Sequence, residues 1–154
     1  MADSFNRVHA SHPPETVFDF ISDFRHASLW DPRTRRVTKL TNGPIGKGTR
    51  FLLQADLLGL TPEFPYEIDV YVRPSLLVLA GRTRWFAYRE QVSFSAEGSG
   101  TSVEYRAAMT LKGWLAPGNP ILSLIYPRIG DDATAGIVPA LDRAESARRQ
   151  PAIT

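Results

Sequence analysis

Apolar and polar positions change period twice along this chain. Val17, Phe20, Ile21 and Phe24 recur at helical spacing and form one apolar stripe for a core. Pro13-Pro14-Glu15 opens that helix, because a first-turn proline lacks only an N–H that would go unpaired there. Ahead of it, Phe5 to Ala10 reads as a short first strand. A second short turn through Arg25 to Leu29 ends before Trp30-Asp31-Pro32, since a residue preceding proline is pushed toward extended geometry. From Arg33 the period becomes two. Arg35 to Leu40, Thr49 to Asp56, Tyr66 to Val72, Leu76 to Arg82, Phe86 to Ala96 and Thr101 to Lys112 are the expected strands. In the last of them Val103, Tyr105, Ala107, Met109 and Leu111 share a face. Short glycine-bearing turns such as Glu97-Gly98-Ser99-Gly100 pair such strands antiparallel, because parallel pairs need long crossovers.

After Gly113 the period returns to that of a helix. Asn119 suits an N-cap with Pro120 at the first helical position. Ile121, Ile125, Ile129, Ala133, Ile137 and Leu141 fall close to one face. Pro127, Gly130, Gly136 and Pro139 interrupt the run, which predicts a kinked helix or two segments. The order β-α-α-β×6-α, with strands in a run and helices at the ends, predicts an α+β fold in one domain over residues 1–154.

Composition narrows the chemistry. A chain of 154 residues with 43% hydrophobic and 22% charged residues has enough apolar material for a core. It has no cysteine, so disulfides, thiolate zinc sites, iron–sulfur clusters and thiol nucleophiles are excluded. The net charge of +2 is no nucleic-acid footprint, and no apolar run approaches the length that spans a bilayer. The first residues carry no secretory pattern, so a cytoplasmic location is expected. His9, His12 and His26 form no metal spacing, the glycines near residue 46 open a strand rather than a helix, and neither a metal nor a cofactor is expected.

Five local patterns stand in order along the chain. They are Val17-Phe-Asp-Phe-Ile-Ser-Asp-Phe24 with Trp30-Asp31-Pro32, then Gly46-Lys-Gly-Thr-Arg-Phe51, then Tyr66-Glu-Ile-Asp-Val-Tyr71. Glu90-Gln-Val-Ser-Phe94 follows with Gly100-Thr101 and Tyr105-Arg106, and Leu111-Lys-Gly113 closes the set. Together they resemble the START-like or SRPBCC superfamily, specifically its bacterial polyketide cyclase/dehydrase-like branch. The resemblance implies a helix-grip (Bet v 1/START-like) fold, in which a curved antiparallel sheet of about seven strands wraps a long C-terminal helix over a cavity. It also implies a hydrophobic or amphipathic small-molecule ligand, lipid- or polyketide-like, held between sheet and helix. Fold alone does not decide among carriers, aromatase/cyclase-type enzymes and co-chaperone-like interaction modules.

Glu90 shares parity with Tyr88, Val92 and Phe94 and so points with them to the apolar side. An inward carboxyl has its charged form disfavoured, and its raised pKa would suit a general acid or base near neutrality. The plainer alternative pairs it with Arg82, Arg84 or Arg89. Trp30, Tyr66, Trp85, Tyr88 and Tyr105 suit a wall that grips a flat ligand, and Trp114 is of the same type. Phe51, Met109, Ile125 and Ile129 complete the expected ligand contacts. An inward arginine from Arg33, Arg35 and Arg36 or from Arg82, Arg84 and Arg89 would hold an acidic head group. Asp131-Asp132 either sets one carboxylate toward the cavity mouth and one in water or, the favoured reading, supplies the first-turn acids of a helix segment beginning after Gly130. An interaction module would instead show a filled interior and an exposed apolar patch around Leu57 to Phe64. Monomer and homodimer both fit the sequence.

Overall fold

The computed structural model describes residues 1–149. Seven strands form one antiparallel sheet in the order β1-β7-β6-β5-β4-β3-β2. They are β1 (Ala2–Ala10), β2 (Thr34–Lys39), β3 (Arg50–Ala55), β4 (Glu63–Val72), β5 (Leu76–Arg82), β6 (Phe86–Glu97) and β7 (Gly100–Leu111). Between β1 and β2 stand α1 (Pro14–Ser22), a 3₁₀ turn (Phe24–His26) and α2 (Ala27–Trp30). After β7 a 3₁₀ turn (Gly113–Gly118) leads into α3 (Asn119–Ala135) and α4 (Ile137–Arg149). The curled sheet with its long C-terminal helical arm is the helix-grip arrangement. Among the described residues no helix is long and apolar enough to cross a membrane.

Two strands begin earlier than alternation indicates. β1 starts at Ala2 and pairs with β7 along its whole length, from Ala2 with Met109 to Ala10 with Thr101. β4 starts at Glu63 and contains Pro65, a residue that argues against a strand interior. Pro65 lies beyond the last β4–β5 pair, Glu67 with Ala80, so its missing N–H breaks no bond of that ladder. Its carbonyl accepts the Tyr88 hydroxyl instead, across the side-chain gap left by Gly81.

The terminal arm corrects the sequence reading at three points. Asn119 is no cap: its side-chain amide is committed to the Leu111 main chain, accepting from N–H at 2.8 Å and donating to C=O at 3.0 Å. The arm forms two segments, as expected, but it breaks only at Gly136: Pro127 and Gly130 lie inside continuous α3 and Pro139 lies within α4. No helix therefore begins at Asp131-Asp132; Asp131 accepts from Asn6 and Asp132 pairs with Arg33. The expected face holds from Ala133 through Ile137 to Leu141, all buried, but Ile121 is 59% exposed and Leu122 and Tyr126 are buried in its stead. The two glycines are contact residues. A side chain at Gly130 would run into Ser4 of β1, and one at Gly136 would run into the carbonyl of Trp30.

Candidate functional site

Under α1 the inner face of the sheet is sealed. Phe18 is fully buried and packs edge-on against Tyr71 and Phe94, each with ring centroids 5.1 Å away. Under α3 the same face is hollow. A cavity of about 90 Å³ lies there, reached by inner-face residues of β3, β4, β6 and β7 and roofed by α2 and α3. Its volume is well below the roughly 300–1,000 Å³ of drug-sized ligand sites.

Glu90 stands on this cavity, in register opposite Ala107 of β7. Tyr105 donates its hydroxyl hydrogen bond to Glu90 Oε2 at 2.7 Å, and Tyr66 donates to Oε1 at a longer 3.4 Å. None of Arg82, Arg84 and Arg89 pairs with the carboxylate. Arg84 instead lies over the Trp85 ring, 5.0 Å from its centroid. Glu90 keeps some accessible surface because it faces the hollow, yet protein surrounds the carboxyl closely. Burial pushes its pKa from the ordinary 4.5 up to about 7; the Tyr105 hydrogen bond works against that rise, the Asp31 charge adds to it, and Tyr66 opposes it. Burial, with the Glu90 charge second, holds the hydroxyls of Tyr66 and Tyr105 far above the usual phenol range.

A second carboxyl shares the space. Asp31 follows α2 and accepts from the Arg33 N–H at 3.0 Å and the Thr34 hydroxyl at 2.9 Å. Burial raises its pKa despite those bonds. Tyr126, one turn from Leu122 on the buried side of α3, brings a third tyrosine to the lining. It is 7% exposed, and its hydroxyl has no hydrogen-bond partner among the described residues. Its pKa is raised by burial and then by the charges of Glu90 and Asp31, which places its phenol in the field of both. The buried indole N–H of Trp30 is likewise unpaired.

Of the nine expected ligand contacts the cavity gathers Trp30, Tyr66, Tyr105, Met109 and Ile129. The other four lie elsewhere. Phe51 is fully buried against Phe24, 6.1 Å between centroids. Tyr88 is spent on Pro65, Trp85 sits by Gly113 at the β5–β6 turn, and Ile125 packs on the core away from the lining. Trp114 is 86% exposed. Of the six arginines named above only Arg33 reaches the cavity, where Asp132 holds it at 3.1 Å. Asp31 and Tyr126 are additional lining residues. The signal for Tyr126 lay in the two glycines of the arm, which mark its contact side more sharply than its isoleucines do. A broader trough of about 610 Å³ crosses the opposite side of the sheet over Ala80, Gly81 and Ala87, with charges of both signs around it.

The inner wall thus sets a carboxyl that changes charge near neutrality beside three phenols and an indole. Such a set can orient a polar group on an otherwise apolar ligand, and it can give or take a proton there.

The profile of a family described as "Polyketide cyclase / dehydrase and lipid transport" matches residues 1–133. No curated protein matches the sequence significantly. Among solved structures, a START superfamily protein from Mycobacterium smegmatis superposes with a TM-score of 0.78 at 13% identity, over 94% of this chain and 99% of that one. TTHA0849 from Thermus thermophilus gives 0.76 at 15% identity, over 96% and 99%. Zhui aromatase/cyclase from Streptomyces sp. R1128 gives 0.72 at 14% identity, over 96% and 95%. At these identities the superpositions establish the fold, while the profile match establishes descent.

Proposed function

The chain belongs to the polyketide cyclase/dehydrase and lipid transport family, and from that premise we propose that it binds an amphipathic small molecule in the cavity under α3, polar end toward Glu90. The observation that carries this reading is the Glu90 carboxyl itself, turned into an apolar wall and supported only by phenols. A protein selected for stability alone would gain from a leucine there, since a buried ionisable group without a counter-charge is costly. The small volume means that the ligand is compact or that its apolar end extends out of the cavity.

Native mass spectrometry with a panel of keto- and hydroxy-aromatic compounds tests the reading. One-to-one adducts are expected on the wild type. Ala107→Phe places a ring beside Glu90 and should remove them while the thermal transition persists. Adducts that survive this substitution would place binding outside the cavity and overturn the proposal.

A second reading is favoured by the Glu90 pKa of about 7, which suits general acid–base chemistry on a bound carbonyl compound. In that case Tyr105 positions the carboxyl, and Glu90 delivers or removes the proton in a cyclisation or dehydration. Glu90→Gln should then abolish turnover and retain binding; unchanged turnover rules the enzyme out.

A further inference from the structure

The charges around the cavity are one-sided. Asp31, Asp56 and Glu90 line it, and the single cation among its lining residues is Arg33, already engaged by Asp132 at the mouth. Asp56 is likewise satisfied outward by Arg35 and Thr61. Glu90 and Asp31 are different. Their hydrogen-bond donors are hydroxyls and a backbone N–H, and no cationic side chain lies within ion-pairing distance of either among the described residues; the Arg33 charge reaches Asp31 from further off, and no cation acts on Glu90. The rings of Trp30, Tyr66, Tyr105 and Tyr126 complete the wall, each at least nine-tenths buried.

Most of the unspent hydrogen-bonding capacity points the same way; the exception is the unpaired indole N–H of Trp30, which calls for an acceptor elsewhere on the ligand. Tyr66 and Tyr105 use their O–H groups on Glu90, which leaves their oxygen lone pairs free to accept. The unpartnered Tyr126 oxygen adds another acceptor. Aromatic faces attract cations through the ring quadrupole, most strongly where water is excluded. A protonated amine answers the other features: it supplies the missing counter-charge, donates to the free oxygens and lies against the rings.

We propose that the polar end of the ligand is a protonated amine, seated between Glu90, Asp31 and the Tyr126 hydroxyl within the wall of Trp30, Tyr66 and Tyr105. The proposal rests on the reading of this cavity as a ligand site and specifies the chemical class of what enters it. A compact ammonium head suits a volume of about 90 Å³, with the apolar remainder of the ligand directed to the mouth. A carboxylate or phosphate head would add a third unneutralised anion to a buried space that already holds two acids.

Calorimetric titration at pH 8 with benzylamine, benzyl alcohol and benzoate tests this, because the three differ chiefly in charge. Benzylamine should bind more tightly than the alcohol by about tenfold or more, with benzoate weakest. Glu90→Gln should narrow the amine-to-alcohol ratio to about threefold or less. A readout independent of any variant is proton release. At pH 6 the Glu90 carboxyl is largely protonated, and the other groups facing it are Asp31 from the α2–β2 turn, Tyr66 of β4, Tyr105 of β7 and Tyr126 of α3. Binding of the amine there should expel about one proton, seen by repeating the titration in buffers of different ionisation enthalpy. Alcohol binding as tight as amine binding, or an amine-to-alcohol ratio that Glu90→Gln leaves unchanged, overturns the amine assignment and leaves the cavity reading intact. Failure of all three compounds to bind overturns both.

Discussion

Phe94 and Glu90 stand four residues apart on the same face of the same strand, and they live in different surroundings. Around Phe94 the sheet is covered by α1; Val17, Phe18, Ile21, Val92 and Val103 are fully buried there, and no ionisable side chain is among them. Around Glu90 the cover is α3; the inner face carries Glu90, Tyr66 and Tyr105 about a hollow that Trp30, Asp31 and Tyr126 close from the helical side. Strand alternation is identical in both halves, so what distinguishes them is the covering helix. A nine-residue α1 packs its stripe directly into the sheet, whereas α3 leans on β1 through Gly130 and stands off from the strands beneath it. One half of the barrel supplies stability and the other gives some of it up to hold polar groups in place.

The largest effect expected from this division is at the sealed end. Phe18→Ala deletes a ring that two aromatic neighbours grip, and should cost about 3–5 kcal/mol in chemical denaturation. Ligand affinity of the folded fraction should not change. A loss below about 1 kcal/mol would mean the two halves are not packed differently.

Next comes a pH effect confined to the hollow end. Glu90 has its pKa raised from 4.5 in the unfolded chain to about 7 in the fold, so the fold binds the proton more tightly. Its contribution to stability is therefore full below pH 4.5 and is lost as pH rises through 7, a change on the order of 3 kcal/mol. Glu90→Gln removes this dependence. Subtracting the denaturation free energies of the variant from those of the wild type across pH 4 to 8 isolates it from other titrating groups, and a flat difference would contradict it.

The smallest effect is at the rim. Leu57 and Leu60 close a tight turn in which Leu58 has a φ of 54° and Gly59 one of 80°. Leucine is a poor residue for that left-handed position, and asparagine tolerates it. Leu58→Asn should raise stability by about 0.5–1 kcal/mol, read as a shift in the denaturation midpoint. The exposed apolar patch expected around this loop reduces to Leu58 and Leu60, since Leu57 and Phe64 are buried.

The same comparison explains what could be read without coordinates. Parity along β6 places Glu90 inward, and parity along β4 and β7 places Tyr66 and Tyr105 with it, because a strand has only two faces. Depth is another matter. Phe51 shares the inner face but lies under Phe24, and Tyr88 is drawn aside because Gly81 lets its hydroxyl reach Pro65. Neither outcome is encoded in alternation. The run Ile121-Leu-Ser-Leu-Ile-Tyr126 is apolar nearly all round, so its periodicity cannot choose which side faces the sheet. Contact at Gly130 and Gly136 chooses, and brings Tyr126 rather than Ile125 to the cavity. Asp31 reads in the sequence as the residue before a proline; only the closure of α2 under Gly136 turns it into a lining acid.

The central claim is that Glu90 sits as a buried carboxyl poised near neutrality. Carbon-detected NMR of the glutamate side-chain carboxyls, assigned by comparison with Glu90→Gln, measures it directly in the ligand-free protein. One resonance should titrate near pH 7 and vanish in the variant. A Glu90 resonance that titrates near 4.5 would mean that water reaches the carboxyl freely, and the polar hollow under α3 would lose its functional meaning.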